Sequence, residues 1–209
     1  MSTQDSADVK YLPQLRRMVT TLKELEAKLE SLERARSEPI AVIGMGCRFP
    51  GGADTPDALW QVLAEGRDAV TEMPAERLRL DPESGELGAD AVHWGAFVKD
   101  VDQFEPQFFG ISPREAAQMD PQQRLLLEVA WEALEHGGIV PAQLLGTQTG
   151  VFVGLTTNDY MLLSNAAGAR SQDAYTGTGN GHCFPAGRLS YVLGLQGPCV
   201  ALDTACSSS

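Results

Sequence analysis

The chain has 209 residues, of which 43% are hydrophobic and 21% are charged, values typical of a globular protein with one sizeable domain and an appendage. Its net charge of −12 argues against a nucleic acid as a partner, because phosphate backbones bind basic surfaces. No apolar run approaches the ~20 residues of a membrane span and the N-terminus has no signal-peptide pattern, so the sequence predicts a cytoplasmic protein that binds no membrane.

Residues 1–37 carry a heptad pattern. Its apolar positions are spaced alternately by three and four residues: Leu15, Met18, Leu22, Leu25, Leu29 and Leu32, with Tyr11 one step ahead. This narrow seam between charged flanks favours a coiled-coil helix over residues 11–36 that pairs with a second copy, and in a parallel pair Lys28 would face Glu33. We expect Pro13 to lie in the first turn or to break the start of the helix. An amphipathic helix packed on its own domain remains the alternative.

Pro39 prevents the helical pattern from continuing and separates residues 1–37 from a domain over residues 38–209. The apolar residues 40–44 directly after it predict a buried strand.

Gly44 and Gly46 then form a G-x-G arrangement, which is a weak match to a dinucleotide-binding loop. Pro50 and a misplaced third glycine disfavour that interpretation, because the loop should open directly into a helix.

Capping side chains mark the helices of this domain. Three predicted helices begin with a capping residue followed by proline: Thr55 for residues 57–65, Ser112 with Glu115 as a capping box, and Asp120 for residues 121–136. A further helix is predicted over residues 186–195. The polar residues 76–90 predict an irregular surface loop, the predicted surface excursion. Two more apolar runs, residues 149–154 and 198–204, predict strands. Continuously apolar strands separated by helices indicate an α/β layered fold with a covered, mostly parallel sheet.

Cys206 follows the last apolar run and precedes small polar residues. Such residues are typical of a chain that leaves a strand, turns sharply and begins a helix. Because unpaired N–H groups at a helix N-terminus favour negative charge, we predict that Cys206 is a thiolate nucleophile. The alternative is a small buried hydrophobic residue. The four cysteines and three histidines show neither a disulfide framework nor metal-binding spacing, so we expect free thiols and no metal.

Several segments resemble the ketosynthase (beta-ketoacyl synthase) domain of modular type I polyketide synthases. They are EPIAVIGMGCRFPGG at residues 38–52, FFGISPREA at 108–116, MDPQQRLLLE at 119–128, WEALE at 131–135, AGRLSY at 186–191 and DTACSSS at 203–209. The match is collinear over residues 38–209, and the last motif is highly specific.

This resemblance implies the N-terminal half of a thiolase-like fold, in which two similar α/β halves form stacked layers and the enzyme works as a homodimer. It implies a decarboxylative Claisen condensation, in which Cys206 takes an acyl chain from an acyl carrier protein and a malonyl-type extender then attacks the thioester. The substrates would arrive on the phosphopantetheine arms of carrier proteins, and the domain would bind no cofactor of its own. The backbone N–H of Cys206 would donate to the oxyanion. Decarboxylase-only relatives carry glutamine in place of this cysteine, so Cys206 argues against that variant.

The resemblance also implies that residues 1–37 are a docking and dimerisation coiled coil, which receives the C-terminal tail of an upstream synthase polypeptide. Residues 178–185 depart from the commonest sequence of the family at this position, and we expect them near the floor of the substrate pocket or at a dimer contact.

The family's catalytic histidines and lysine follow the cysteine in sequence. His93, His136 and His182 therefore receive no catalytic role, and we expect that the 209 residues alone do not condense substrates. Two alternatives remain open: a docking module whose only function lies in residues 1–37, and a ketosynthase of fatty acid synthesis.

Overall fold

The structure is a computed structural model that describes residues 5–77, 93–166 and 173–207. The chain divides into two compact units, Met1–Val42 and Ile43–Ser209. The predicted surface excursion at residues 76–90 lies outside the described residues from position 78 onward; its first two residues belong to a 3-10 turn at Ala75–Arg77.

The first unit contains one long helix, α1 (Asp5–Ser37). The predicted helix is confirmed, but it begins six residues earlier than expected, and Pro13 lies inside it. The expectation for Pro13 was wrong because strong helix formers flank the proline, so the helix tolerates one lost hydrogen bond. The six seam side chains, from Leu15 to Leu32, are each 55–61% exposed.

Three helices of the second unit begin where the capping pattern predicts. They are α2 (Pro56–Ala64), α3 (Pro113–Gln118) and α4 (Pro121–His136). Thr55 Oγ1 accepts from the N–H of Ala58 at 3.2 Å, and Ser112 Oγ accepts from the N–H of Glu115 at 3.1 Å. Asp120 Oδ1 accepts from the N–H of Gln122 at 2.8 Å. Each cap satisfies a backbone donor that the first helical turn leaves unpaired, which confirms these three predicted starts.

The described part of the second unit contains two small sheets. Its strands are β1 (Thr71–Glu72), β2 (Trp94–Gly95), β3 (Val151–Gly154) and β4 (Cys199–Leu202). β1 and β2 are antiparallel, whereas β3 and β4 are parallel with Val151 beside Cys199. Within the described residues, three helices lie between the parallel strands in sequence: α5 (Asp159–Ala166), α6 (Thr176–Asn180) and α7 (Phe184–Leu193). The parallel pairing of the two later apolar runs is therefore confirmed.

Only one face of the parallel pair is covered by the described residues. Val151 and Val153 are buried against Ala186 of α7, whereas Phe152 between them is 68% exposed. The prediction of a covered sheet is therefore confirmed for only one face within the described residues. Alternate side chains of a strand point to opposite faces, and the described helices pack against one of them.

Residues 40–44 were predicted as a buried strand, and this prediction was wrong. Ile40 is 94% exposed and Val42 is 77% exposed, and no strand within the described ranges pairs with this run. An apolar run forms a strand only where a neighbouring strand accepts its hydrogen bonds. From Gly44 onward the chain instead passes along α4, so closely that a β-carbon on Gly46 would lie 2.5 Å from the carbonyl oxygen of Val129.

Candidate active site

Cys206 lies in a tight turn directly after β4, as the small residues around it predicted. Asp203 Oδ1 accepts from the N–H of Ala205 at 3.0 Å, and the N–H of Ser207 donates to the carbonyl of Thr204 at 3.3 Å. Ala205–Ser207 form one turn of 3-10 helix, and the Cys206 thiol is free and exposed. The alternative of a buried hydrophobic cysteine does not fit this exposure.

Ala205 adopts a left-handed backbone conformation, with φ of 53°. For a residue with a β-carbon this region costs roughly 1–2 kcal/mol, because the β-carbon approaches the following carbonyl oxygen. The positive φ reverses the chain sharply between β4 and Cys206. The side chain of Asp203, the residue directly after β4, supports this reversal by accepting a hydrogen bond from the N–H of Ala205.

A cavity of about 250 Å³ lies at the carboxyl end of the parallel strands. It is lined by Leu155, His182, Cys183, Ala201, Leu202 and Asp203. His182 Nε2 lies 3.2 Å from the carbonyl oxygen of Thr157, which holds the imidazole at this edge. Ligands of open α/β sheets bind outside the carboxyl ends of strands. The structure therefore places His182 and Cys183, from the segment 178–185, beside the carboxyl end of β4, which leads into Cys206. This is the sheet edge at which ligands of open α/β sheets bind.

The other two histidines lie elsewhere. His136, at the end of α4, accepts a hydrogen bond on Nδ1 from the N–H of Met45 at 3.1 Å. His93 is exposed and pairs through its backbone carbonyl with the N–H of Met73. Within the described ranges, no three histidine, cysteine or acidic side chains converge to hold a metal ion.

The surroundings of Cys47 disfavour the thiolate form that a nucleophilic cysteine needs. Burial raises the pKa of its thiol, and this outweighs the lowering effect of the neighbouring Arg48. The Cys47 thiol also donates to the carbonyl of Ala53 at 3.7 Å. Cys47 is therefore a structural cysteine, whereas Cys206 is freely accessible.

A set of buried polar side chains lies where α3, α4 and α6 meet, and it was not among the predicted site residues. Its members include Asp120, Gln123, Thr176 and Asn180, each at most 9% exposed. The signal for it was present in the polar residues at the start of α4, where the apolar stripe gives way to Gln122, Gln123 and Arg124. The periodicity of α4 indicated only apolar burial, yet two of its three buried residues are polar.

The comparisons with known proteins identify the family of the chain. The family described as "Beta-ketoacyl synthase, N-terminal domain" matches residues 37–209. The chain is 54% identical over 179 residues to a phenolphthiocerol/phthiocerol polyketide synthase of Mycobacterium tuberculosis, covering 84% of this chain and 12% of that protein. It is 46% identical over 213 residues to the phenolphthiocerol synthesis polyketide synthase type I Pks15/1 of Mycobacterium marinum, covering 98% of this chain and 10% of that protein.

Two solved structures are similar to the chain. One is the ketosynthase from module 6 of the bacillaene synthase from Bacillus subtilis 168, with a TM-score of 0.65 and 32% identity over 81% of this chain and 27% of that one. The other is an oxazolomycin ketosynthase domain from Streptomyces albus JA3453, with a TM-score of 0.67 and 37% identity over 80% of this chain and 29% of that one.

These neighbours define the class of the protein as a thiolase-like α/β fold, of which the chain forms an N-terminal part. The chain belongs to the beta-ketoacyl synthase family. It spans about a tenth of the length of the curated relatives that it matches, 12% and 10% in the two cases above. Among the described helices, none combines the length and the apolar character that crossing a bilayer requires.

Proposed function

We propose that the chain is part of a polyketide synthase ketosynthase, an acyltransferase in which Cys206 accepts an acyl chain and condenses it with a malonyl-type extender. The observation that carries the proposal is the exposed Cys206 in its tight turn at the carboxyl end of β4. The similar proteins of the two mycobacteria are polyketide synthases, which supports a polyketide synthase rather than a fatty acid synthase.

In the first step, the Cys206 sulfur attacks the carbonyl carbon of an acyl thioester carried on the phosphopantetheine arm of an acyl carrier protein. A new carbon–sulfur bond forms at Cys206, the bond to the phosphopantetheine sulfur breaks, and the released thiol takes the proton. The transfer exchanges one thioester for another, so the energy of the acyl bond is retained for the next step. The N–H of Cys206 is the proposed donor to the oxyanion.

In the second step, a malonyl-type thioester on a carrier protein loses carbon dioxide. The electron pair of the broken carbon–carbon bond attacks the carbonyl carbon of the Cys206 thioester. A carbon–carbon bond forms, the carbon–sulfur bond at Cys206 breaks, and the sulfur leaves as a thiolate that regains a proton. Covalent catalysis thus divides the condensation into two steps at one sulfur atom.

The organisation of the chain fits this function. Residues 38–209 would be the N-terminal half of the ketosynthase, working in the cytoplasm as a homodimer that receives carrier proteins and has no resident cofactor. Residues 1–37 would form a docking and dimerisation coiled coil for the C-terminal tail of an upstream synthase polypeptide. The exposure of the whole leucine seam of α1, with Leu22 at 55% and Leu25 at 58%, supports pairing with another helix, because pairing stabilises such a seam.

The acyl transfer is tested with an acyl N-acetylcysteamine thioester, a short mimic of the phosphopantetheine end. The chain is incubated alone and joined to the remaining C-terminal part of a related ketosynthase domain, and intact mass and peptide mapping locate the acyl group. We expect one acyl group on Cys206 of the joined protein and none in the Cys206→Ala variant. Cys199→Ala is the matched control, because Cys199 is also an exposed thiol, at the start of β4, and it should acylate normally.

Equal acylation of Cys183 and Cys199, or no acylation of the joined protein, would overturn the proposal. Adding malonyl carrier protein to the joined protein should give a β-ketoacyl product. The 209-residue chain alone should give none, since the residues that drive decarboxylation are expected after Cys206 in the family.

A further inference from the structure

Arg188 lies on α7, and its guanidinium group contacts three other helices. Its side chain is only 11% exposed. Nη1 donates to Glu115 Oε1 of α3 at 2.5 Å, and Nε donates to Gln123 Oε1 of α4 at 3.0 Å. Nη2 lies 3.5 Å from the carbonyl oxygen of Thr178 in α6. We refer to Arg188, Glu115, Gln123 and the Thr178 carbonyl as the polar clamp.

Gln123 extends the clamp into the backbone of α6. Its side chain is buried, with the residue 2% exposed, and Nε2 donates to the carbonyl of Gly179 at 2.7 Å. The N–H of Asp120 donates to the same carbonyl at 2.8 Å. A β-carbon on Gly179 would lie 2.2 Å from the carbonyl oxygen of Gln118, so α6 packs against the end of α3 with no space between them. The clamp is therefore bonded to a helix, α6, that is tightly packed against α3.

The opposite face of α7 packs on the parallel sheet. Ala186 is 1% exposed and belongs to a cluster with Val151 and Val153 of β3, against which Ala201 of β4 also packs. Residues 186 and 188 lie about 200° apart around a helix of 3.6 residues per turn. α7 is consequently held between the clamp on one side and the strand that leads to Cys206 on the other.

The N-terminal end of α7 also reaches the candidate site. Cys183, the residue before α7, and His182 line the cavity together with Asp203. Asp203 in turn accepts the hydrogen bond that supports the turn at Ala205. A rotation or shift of α7 would therefore move a wall of the cavity and press directly on the end of β4.

We infer that Arg188 is a positioning residue for Cys206: through the polar clamp it fixes the rotation of α7, and α7 fixes β4 and the turn that presents the thiol. The inference rests on the proposed function only for the expected loss of acylation rate. The expected changes in the position and order of the segment around Cys206 do not depend on that function. A partly buried ion pair contributes little net stability compared with apolar packing, whereas its directional hydrogen bonds specify one arrangement. Arginine is suited to this role because its planar fork bonds several groups at fixed angles.

The test is Arg188→Lys, which keeps the charge next to Glu115 but loses the fork that bonds Gln123 and Thr178. Arg114→Lys is the matched control, because Arg114 is 73% exposed and donates through Nε to Asp173 at 2.9 Å outside the clamp. In the joined protein, we expect Arg188→Lys to lower the rate constant of Cys206 acylation about tenfold, with KM changed less than about twofold, since small misplacements of a reacting group cost rate. The control should match the unmodified protein.

Two measurements keep the inference separate from the proposed function. The alkylation rate of Cys206 by iodoacetamide and the hydrogen exchange of the β4 amides report the position and order of this segment without any enzymatic activity. We expect both to change in Arg188→Lys and not in Arg114→Lys. If the unmodified protein is not acylated but these two measurements respond as expected, the proposed function fails and the positioning role stands.

The inference is overturned if Arg188→Lys lowers the melting temperature while acylation, alkylation and β4 exchange all stay at the values of the unmodified protein. Glu115→Gln keeps the shape of the clamp and removes its negative charge, so it serves the same test if Arg188→Lys does not fold. A change in alkylation in Glu115→Gln, without a change at Arg114→Lys, supports the clamp; the absence of any change rejects it.

Discussion

Gly44 lies directly against Ala133 of α4, so that a β-carbon on Gly44 would fall 2.2 Å from the Ala133 carbonyl oxygen. This close approach, together with the similar one at Gly46, explains the two glycines of the G-x-G arrangement. They allow the segment after residue 43 to pass over α4. The loop does not open directly into a helix that could bind a pyrophosphate, because the chain turns back at Phe49, whose N–H donates to the carbonyl of Ala53 at 3.0 Å. The dinucleotide interpretation is therefore replaced by a packing role.

Gly44→Ala should destabilise the protein by about 1–3 kcal/mol, because the added methyl group collides with backbone rather than with a flexible side chain. Gly187→Ala is the matched control, since Gly187 lies inside α7 and a β-carbon there has no atom within 4 Å. We expect the control to stabilise by roughly 0.5–1 kcal/mol. Urea denaturation of both variants measures the two free energies of unfolding, and equal effects of the two substitutions would contradict the packing role.

Arg48 and Glu132 form a bidentate ion pair that joins the loop after Gly46 to α4. Arg48 also donates to the carbonyls of Cys47 and Asp54, at 3.1 Å and 3.2 Å. A double-mutant cycle with Arg48→Ala and Glu132→Gln should give a coupling free energy of about 1–2 kcal/mol. The pair Arg67–Glu65 has side chains that are 47% and 58% exposed, so its cycle should give less than about 1 kcal/mol. Equal couplings in the two cycles would argue against a structural role for Arg48.

Glu128 should make the stability of the protein pH-dependent. Burial raises the pKa of its carboxyl group above the ordinary value, and the charge of Glu132 adds to this while Arg48 and Arg124 oppose it. The folded state therefore holds the proton more tightly than the unfolded state. The stability contributed by Glu128 is complete below the unfolded pKa of about 4.3 and is lost as the pH rises through the higher pKa of the folded state.

Glu128→Gln should consequently raise the melting temperature at pH 7 relative to the unmodified protein, and the difference should shrink toward pH 4. Glu65→Gln, at an exposed position, is the control and should show little change between the two pH values. Thermal unfolding followed by circular dichroism from pH 4 to pH 8 measures this. A Glu128→Gln effect that is independent of pH would mean that the ionisation of Glu128 does not cause it.

Leu22→Asp should abolish self-association of a peptide covering residues 1–42, because it places a charge in the centre of the apolar seam. Ala27→Asp is the matched control: Ala27 lies outside the seam and carries the same added charge, so the peptide should still pair. Sedimentation gives the mass, and circular dichroism gives the helix content. A monomeric unmodified peptide, or equal association of the two variants, would contradict the proposed coiled coil.

Much of the local structure could be predicted from the sequence. The starts of α2, α3 and α4 were predicted correctly because a capping side chain and the N–H that it accepts lie two or three residues apart. The helix predicted over residues 186–195 had two possible ends, Gly194 and Gly197. In the structure α7 begins two residues earlier, at Phe184, and ends before Gly194, whose left-handed φ of 64° suits glycine. Pro13 was placed wrongly, because a rule for one residue does not weigh the helix-forming strength of its neighbours.

The sequence by itself determined the capped starts of α2, α3 and α4, the parallel strands β3 and β4, and, through the motif at residues 203–209, the resemblance to the ketosynthases. Only the tertiary structure decided that residues 40–44 lie exposed, that the described residues leave Phe152 exposed, and that Ala205 adopts the left-handed conformation before Cys206. It also decided that Arg188 meets Glu115, from which it is 73 residues distant. The physical reason is that caps and turns depend on hydrogen bonds within a few residues, whereas burial and ion pairing depend on partners that only the folded chain brings together.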